Sequence, residues 1–327
     1  MHIQFLDYLA DPYTKEPLIL ESSDISSGII LSGSLRSSTN VYPIIRGIPR
    51  FVPFINDNYS NNFGYQWHKW PRVQFEHENV GKPMEGHTRS MWEKITGYNK
   101  YIGTIDKKTI ADIGCGAGRF VDVARSKGAR VIGIDYSSAV EVAAQNFREA
   151  FDVCICQADA LNLPLKSGYL DGAFSIGVLH HTPDPPRGVL QAHAALHAGG
   201  WFALSVYPKG QYYDSPPVQA WRKIFKILWP LFKHYPPLAY AYFAIYILRP
   251  FVNIYPKAGN RVKSVFPYLD IPDIDWSLLD TFDSVTPSYQ SSHDTQEVSN
   301  WLHNAGFRDI RQTDWGPTSF IGHNSLS

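Results

Sequence analysis

Short apolar runs alternate with helical patterns through the middle of the chain and indicate a sheet covered by helices. The apolar runs that have the length of buried parallel strands are residues 110–113, 131–134, 153–156, 172–176 and 201–206. Between most of these runs, apolar side chains recur every three to four residues, which is the spacing of one helix face. The alternation predicts an α/β fold with a doubly wound, mostly parallel sheet and helices on both faces.

The ends of the predicted helices carry recognisable signals. Two helix starts have the spacing of a capping box: Ser138 with Glu141, and Asp294 with Glu297. A helix over about 187–197 is expected to close at the glycine pair 199–200. After the last helix, residues 307–313 and 318–322 predict an antiparallel hairpin at the sheet edge, which brings the sheet to seven strands.

The connection before that last helix is unusually long. Residues 207–292 separate a predicted strand from the helix that follows, whereas such joins usually take roughly 2 to 8 residues. An inserted helical cap is therefore expected. Residues 221–233 place apolar side chains on one helical face opposite arginine and lysine, and residues 237–248 carry no charge. This second run is too short to span a bilayer, which needs about 20 residues.

The N-terminal part of the chain predicts a small β-rich module. Residues 28–33 and 41–49 are short apolar runs broken by glycine and proline. A linker with the aromatic segment 63–67 (FGYQW) follows, and this segment is expected to pack on the main domain, where Tyr65, Gln66 and Trp67 are candidates to touch a ligand. The expected division of the chain is 1–55, 56–87, 88–206, 207–292 and 293–327, the last segment completing the main domain.

Charge and cysteine content narrow the class of protein. Thirty basic and thirty acidic residues give a formal net charge of zero, so no general attraction to phosphate backbones is encoded and no nucleic-acid partner is expected. The three cysteines form neither a disulfide framework nor a CxxC metal knuckle, which fits a reducing compartment. No secretory signal pattern is present, and a cytoplasmic location without a transmembrane segment is expected.

A glycine-rich turn after the first strand predicts a nucleotide-type cofactor site. The turn runs from Asp112 through Gly114, Cys115 and Gly116 to Gly118. A dinucleotide fingerprint needs its third glycine at position 119, which is arginine here, so a nicotinamide oxidoreductase is disfavoured. At the end of the next strand, Asp135 is placed to accept hydrogen bonds from both hydroxyls of a ribose.

With these residues in place, the chain resembles the class I S-adenosylmethionine-dependent methyltransferases, with a Rossmann-like domain of the methyltransferase 11 type. The resemblance implies S-adenosylmethionine as cofactor, with its ammonium side near Asp112 and its adenine against Tyr136. Residues 157–164 resemble the family segment in which Asp159 hydrogen-bonds the adenine and Ala160 contributes backbone. Residues 171–181 resemble the family's fourth strand, which ends at Ile176 and Gly177 opposite the methyl donor.

The N-terminal module resembles a second family. Residues 9–18 and 42–49 are similar to the Trm112-like zinc ribbon that precedes some methyltransferase domains. In that family the positions of Asp11 and Thr14 are cysteines, and no later cysteine pair of this module supplies the missing ligands. No metal is therefore expected, and the module is expected to be a structural platform or docking surface.

Four residues are candidates for moving a proton or touching the acceptor. His180 and His181 leave the fourth strand at its carboxyl end, where ligands of open α/β sheets bind. His293 precedes the last helix, whose start is expected at the same edge, and Tyr207 follows the fifth strand. A base is needed only when the acceptor must lose a proton, because the cofactor is already activated.

The predicted function is methyl transfer to an oxygen or nitrogen atom of a small molecule, of an apolar, glycan or natural-product type. An RNA methyltransferase and a non-catalytic cofactor-binding scaffold are the alternatives. The cap fits either a lid over the acceptor or a peripheral membrane contact through residues 217–249. The sequence leaves the acceptor and the oligomeric state open.

Overall fold

The computed structural model describes residues 1–52 and 61–325. The first part of the predicted linker, up to residue 60, therefore lies outside the described residues. No helix within the described ranges is long and apolar enough to cross a membrane.

The N-terminal module is a four-stranded antiparallel sheet in the order β1-β2-β3-β4. Its strands are β1 (Ile19–Ser26), β2 (Ile29–Arg36), β3 (Val41–Ile45) and β4 (Ile48–Pro49). Sequence patterns predicted only the region of β2 and that of β3 and β4. Ile30, Leu35 and Ile44 are buried against Phe5, so the sheet has an apolar inner face.

Two helices lead into the main domain. They are α1 (Asn61–Lys69), which contains the aromatic segment, and α2 (His87–Thr96). Gly64 lets α1 pack closely on the main domain, since a Cβ there would lie 2.3 Å from Ser138 Oγ. The aromatic segment is thus held against the main domain, as expected.

The main domain alternates strands and helices as the apolar pattern predicts. Its elements are β5 (Thr109–Ile113), α3 (Arg119–Ser126), β6 (Arg130–Asp135), α4 (Ala139–Asn146), β7 (Val153–Gln157), β8 (Leu170–Ile176), α5 (Pro185–Ala195) and β9 (Leu196–Ser205). Alternate residues of one strand pack on opposite faces: Ile110 in one core cluster, Ala111 and Ile113 in the other. Burial on both faces explains why these strands are continuous apolar runs.

An inserted helical layer follows β9. It comprises α6 (Pro216–Phe232), α7 (Tyr235–Phe243), a π-helical turn over Ala244–Leu248, α8 (Arg249–Ile254), α9 (Pro256–Lys263) and α10 (Ile274–Val285). Three residues of α10, Leu278, Leu279 and Phe282, pack on Ala241 of α7 and on Ile245 of the π-helical turn. The insertion thus has an apolar core of its own.

The sheet is completed by α11 (Thr295–Ala305), β10 (Arg308–Gln312) and β11 (Ser319–His323). The strand order is β10-β11-β9-β8-β5-β6-β7, with β11 antiparallel to β9 and β10 antiparallel to β11. The five remaining strands are parallel. This confirms the predicted doubly wound seven-stranded sheet with an antiparallel edge pair.

Two local predictions are wrong. Ser138 makes no side-chain cap on α4; Ser137 Oγ instead accepts from the Ala139 N–H, and Glu141 pairs with Arg50 of the N-terminal module. The glycines 199–200 do not end α5, which stops at Ala195. They lie inside β9. Between the pairs Leu170–Leu196 and Gly172–Trp201, β9 has more residues than β8, and the extra residues, which include the two glycines, bulge out of the ladder.

Candidate active site

A cavity of about 440 Å³ lies at the carboxyl ends of the five parallel strands. The residue at or just after each strand end lines it: Gly114, Asp135, Ala158, Ile176 and Ser205. The opposite wall comes from α1 and α10. Ligands of open α/β sheets bind beyond this edge, and the volume lies in the range of small-molecule sites.

The glycine turn has a backbone that only glycine tolerates. Gly114 has φ +87°, and a Cβ there would lie 2.3 Å from a Val178 methyl. At Gly116, φ is +54° and a Cβ would lie 2.8 Å from Trp67 Nε1. Gly114, Cys115 and Gly116 line the cavity, whereas Gly118 does not and instead makes room for Phe147. The predicted close approach of backbone to a ligand therefore concerns the first two glycines.

Asp135 stands where the sequence predicted it, at the end of β6 on the cavity wall. Its Oδ2 accepts from the Gly116 N–H at 2.9 Å, and its Oδ1 accepts from the N–H and hydroxyl of Ser137 at 2.8 and 2.7 Å. A carboxylate offers about four lone-pair sites, so Asp135 retains capacity for a further donor. Burial raises the pKa of Asp135, and the bonds from Ser137 and Gly116 oppose that rise.

Asp112 lies below the turn rather than on the cavity wall. It is buried in β5, and its Oδ2 has no hydrogen-bond partner among the described residues. Burial and the nearby Asp135 raise its pKa well above the usual range, while Arg119 acts in the opposite sense. The side chain of Asp112 therefore does not reach the cavity and is not placed to contact a ligand there as predicted.

The residues predicted to flank the adenine and the methyl donor are only partly at the cavity. Tyr136, Ala160, Ile176 and Gly177 line the cavity, and a side chain at Gly177 would meet nothing within 4 Å. Asp159 does not line it. Its Oδ1 accepts from the Leu161 N–H at 2.9 Å, so its carboxylate stabilises the turn after β7.

Among the catalytic candidates, His181 lines the cavity. Its Nδ1 lies 3.0 Å from the carbonyl oxygen of Tyr289, and a carbonyl can only accept, so Nδ1 carries the proton and Nε2 is an acceptor. Burial lowers the pKa of His181 to about 4, against the opposing effect of that carbonyl. The ring is therefore neutral and a weak base.

His180 and Tyr207 lie beside it with their rings in contact and tilted by 33°. His180 is fully buried, its ring lies 3.8 Å from that of Tyr207, and neither nitrogen has a hydrogen-bond partner among the described residues. Burial lowers the pKa of His180 well below its usual range. Tyr207 does line the cavity and stacks on Tyr213 at 3.9 Å. Burial raises the pKa of Tyr207, so its hydroxyl stays protonated.

His293 is not brought into the cavity. It reaches the expected edge, where Pro208 and His293 form a parallel bridge. Both ring nitrogens are already engaged, Nδ1 with Glu297 Oε1 and Nε2 with Ser291 Oγ, each at 2.8 Å. Sequence position alone predicted the edge correctly but not the direction of the ring.

Among the polar residues of the cavity that the sequence did not suggest as ligands are Arg119, Asp280 and Asp283. Arg119 Nη1 donates to Gln74 Oε1 at 2.6 Å, and Gln74 Nε2 donates to Asp280 Oδ1 at 3.3 Å. Burial raises the pKa of Asp280 to about 7, with Arg119 opposing the rise. One sequence feature could have indicated the two carboxylates as site residues: Asp280 and Asp283 are three residues apart, on one face of a helix, in an otherwise apolar segment.

Helix α1 forms the roof over the glycine turn. Phe63, Gln66 and Trp67 line the cavity, and Gln66 hydrogen-bonds Asp283 across it. Tyr65 points elsewhere and stacks on His234 with ring centroids 3.6 Å apart. Of the three predicted contacts of this segment, two are thus at the cavity.

The sequence matches a known family over the strands that carry this site. Residues 111–204 match the family described as a methyltransferase domain. A tRNA U34 carboxymethyltransferase of Alcanivorax borkumensis is 32% identical over 139 residues, which are 41% of this chain and 42% of that protein. A ubiquinone biosynthesis O-methyltransferase of Nitrosomonas europaea is 29% identical over 34% of this chain and 49% of its own length. The chain thus spans about half or less of the length of these curated relatives.

Solved structures are similar over more of the chain but at low identity. A complex from Haloferax volcanii that contains the Trm112 methyltransferase activator and a proposed methyltransferase has a TM-score of 0.45 and 12% identity, over 81% of this chain and 98% of that one. A S-adenosylmethionine-dependent methyltransferase of Thermotoga maritima has a TM-score of 0.41 and 15% identity, over 79% and 100%. Both TM-scores are low.

Proposed function

We propose that this chain, whose residues 111–204 form a S-adenosylmethionine-dependent methyltransferase domain, transfers a methyl group to an oxygen or nitrogen atom of a small acceptor held beneath the inserted helices. The observation that carries the proposal is the cavity itself: its floor is the glycine turn and Asp135, and its far wall is α10 with two carboxylates. Both substrates of a methyl transfer can meet there, since proximity supplies much of the rate.

The residues fit the cofactor that the domain implies. Gly114 and Gly116 leave no side chain between backbone and ligand, and Asp135 keeps unused lone pairs for ribose hydroxyls. Tyr136 and Ile176 provide the flanking walls of the cofactor site. When bound, the cofactor supplies an activated methyl group on a sulfonium.

The acceptor side is polar and acidic. Asp280 and Asp283 face the cavity beside Trp276, Leu279 and Tyr213. Carboxylates accept hydrogen bonds from hydroxyl and amino groups, and the aromatic side chains surround a small organic group. A hydroxyl- or amine-bearing small molecule therefore matches this wall.

Asp280 is the group best suited to take the acceptor's proton. A general base works best with a pKa near the working pH, and burial brings the pKa of Asp280 to about 7. The pKa of His181 is about 4, so we assign His181 to hydrogen bonding through Nε2 rather than to proton abstraction. His180 and His293 receive no direct role in this proposal because neither lines the cavity.

RNA is the competing acceptor. The Alcanivorax relative is named for a tRNA reaction. Against RNA for this chain stand the two carboxylates of the cavity wall and the helices that cover it. A nucleotide would have to enter past α1 and α10, both of which are packed on the domain.

Two measurements test the proposal. Calorimetry should detect binding of S-adenosylmethionine and S-adenosylhomocysteine but not of NAD, and Asp135→Ala should remove most of that binding. Transfer of a labelled methyl group should then be followed with a panel of hydroxyl and amine acceptors and, separately, with total tRNA at several salt concentrations. If neither S-adenosylmethionine nor S-adenosylhomocysteine bound, the methyltransferase proposal would be wrong. If tRNA alone were labelled, in a salt-sensitive way, the acceptor would be RNA and not a small molecule.

A further inference from the structure

The inserted helices expose an unusual amount of apolar surface. On α6, Ile224, Ile227 and Leu231 share one face, and Ile227 and Leu231 are 76% and 80% exposed. These residues follow each other at spacings of three and four, so the face is continuous along the helix. Scattered single apolar residues on a surface need no explanation, but a contiguous stripe does.

A second stripe runs along the next helix. From α7 through the π turn into α8, the exposed residues are Tyr242, Phe243, Tyr246, Ile247, Phe251 and Ile254. The opposite face, with Ala241, Ile245 and Leu248, is buried in the core of the insertion. The helix is therefore apolar on both sides, and only one side is covered by the protein.

The charge around these stripes has a single sign. Residues 215–269 contain no aspartate or glutamate but eight lysines and arginines, in a chain whose net charge is zero. Arg222 is held by the carbonyls of Ser284 and Tyr213, and Arg249 pairs with Asp270 at 2.8 Å. The remaining six have no acidic partner within 4.0 Å among the described residues: Lys223, Lys226, Lys233, Lys257, Arg261 and Lys263.

We propose that this face of the insertion, residues 223–263, docks the enzyme onto a membrane surface that contains anionic lipids. Exposed aliphatic and aromatic side chains next to unpaired lysines are the chemistry of an interfacial helix: the apolar groups enter the boundary of the acyl region and the lysines meet the headgroups. Tyrosines such as Tyr242 and Tyr246 suit that boundary, because their rings are apolar and their hydroxyls are polar.

The contact lies on the membrane and does not cross it. The inner face of the helix is fixed to Leu278, Leu279 and Phe282, so the helix cannot leave the protein without exposing that core. A second copy of this chain is a poorer occupant of the face. A two-fold interface would bring the unpaired lysines of both copies together, and like charges at an interface disfavour association.

Vesicle co-sedimentation of the full chain tests this inference and needs no cofactor or turnover. The protein should bind vesicles of phosphatidylcholine mixed with phosphatidylglycerol, bind phosphatidylcholine alone weakly, and dissociate as salt rises. Lys223→Gln with Lys226→Gln should lower the affinity roughly thirtyfold, since each lysine near an anionic surface contributes about a factor of five. Ile227→Asn with Leu231→Asn should abolish binding even at low salt.

Matched controls lie outside the insertion. Val80→Asn with Phe151→Asn replaces two residues that are each 69% exposed, and Lys82→Gln with Lys94→Gln removes two exposed lysines. Both control pairs should bind vesicles as the unchanged chain does, and circular dichroism should show that all four variants fold. Equal binding to neutral and anionic vesicles, or no binding, would overturn the inference. So would a concentration-dependent dimer in sedimentation that Ile227→Asn with Leu231→Asn dissolves, because the face would then bind a second copy.

Discussion

At the scale of single residues, Asp280 carries the most specific chemical expectation. Asp280→Asn keeps the shape of the wall but removes the proton acceptor, so turnover of a hydroxyl acceptor should fall by about 10² to 10⁴ while S-adenosylhomocysteine still binds. The carboxylate must be ionised to act, and its pKa is raised to about 7. The rate of the unchanged enzyme should therefore rise with pH through that value, and initial rates against pH would record it.

The matched control for this prediction is Asp275→Asn. Asp275 lies on the same helix but is exposed and does not line the cavity, so its loss should change neither the rate nor the pH profile. A pH profile that stays the same in Asp280→Asn would assign the proton to another group.

A second residue-scale prediction concerns the glycine turn. Gly114→Ala places a side chain at φ +87° and 2.3 Å from Val178, so it should cost about 3 kcal/mol of unfolding free energy and weaken S-adenosylhomocysteine binding. Gly168→Ala is the control, because Gly168 has φ +77° with nothing within 4 Å. It should cost about 1 kcal/mol and leave binding intact. Urea unfolding and calorimetry measure both quantities, and equal effects of the two variants would contradict this account.

The sequence predicted best those residues whose position is set by the local course of the backbone. Gly114, Gly116 and Asp135 follow from the local geometry of a strand, a turn and the next strand end, and all three are found at the cavity. The side chains of Asp159 and His293 are instead engaged by neighbours in the sequence, the Leu161 N–H in one case and Glu297 with Ser291 in the other, which turns them away from the cavity. Asp280 was missed because its neighbours come from distant parts of the chain.

At the scale of elements, a single buried carboxylate joins the loops of the N-terminal sheet. Asp11 is fully buried, and its Oδ2 accepts from the hydroxyls of Ser37 and Tyr42 at 2.7 and 2.9 Å and from Asn40 Nδ2 at 3.0 Å. Its Oδ1 accepts from backbone N–H groups, including that of Thr14. One carboxylate thus ties the loop before β1 to the hairpin between β2 and β3.

Asp11→Ala should therefore destabilise the module by about 3 kcal/mol, because several buried donors lose their acceptor at once. Burial alone opposes ionisation, but the hydrogen bonds from Ser37 and Asn40 outweigh it and hold the pKa of Asp11 well below its usual range. A depressed carboxyl pKa stabilises the fold above the unfolded pKa of about 4, and this contribution is lost as the pH falls further. Urea unfolding at neutral and acidic pH measures it.

Asp24→Ala is the control variant for the urea unfolding of Asp11→Ala. Asp24 is an exposed residue of β1, and its removal should change the unfolding free energy by less than about 0.5 kcal/mol at either pH. If Asp11→Ala were equally harmless, the carboxylate would not organise the module.

Element boundaries show where sequence periodicity stops being informative. The parallel strands and α11 were predictable because their apolar spacing and caps are local, as the bond from the Glu297 N–H to Asp294 shows. Ser138 has the same local pattern and makes no side-chain cap, since the Glu141 N–H donates to the Ser138 carbonyl oxygen and the Ser137 hydroxyl accepts from the Ala139 N–H. The residue pattern therefore predicted the start of α4 but not the side chain that caps it.

At the scale of the whole molecule, the N-terminal module covers the edge of the main sheet. Arg50 bridges to Gln157 of edge strand β7, and Phe51 N donates to the Gln157 carbonyl at 2.8 Å. An uncovered edge strand is an aggregation hazard, and β7 also leads into the cavity wall at Ala158 and Ala160. The sequence predicted a separate N-terminal module, but not that this module would brace the strand beside the cofactor site of the main domain.

Arg50 and Arg46 allow this bracing to be measured, because both pair with Glu141. The side chain of Arg50 is 6% exposed and also donates to Gln157 Oε1 at 2.8 Å, whereas that of Arg46 is 75% exposed. Arg50→Ala should cost about 2 kcal/mol, since it removes a buried guanidinium and takes one donor each from the half-buried Glu141 and Gln157, and Arg46→Ala should cost less than about 1 kcal/mol. Thermal unfolding with S-adenosylhomocysteine titrated in should show weaker cofactor binding for Arg50→Ala alone. Equal losses for the two variants would mean that the module only sits on the edge and does not support the site.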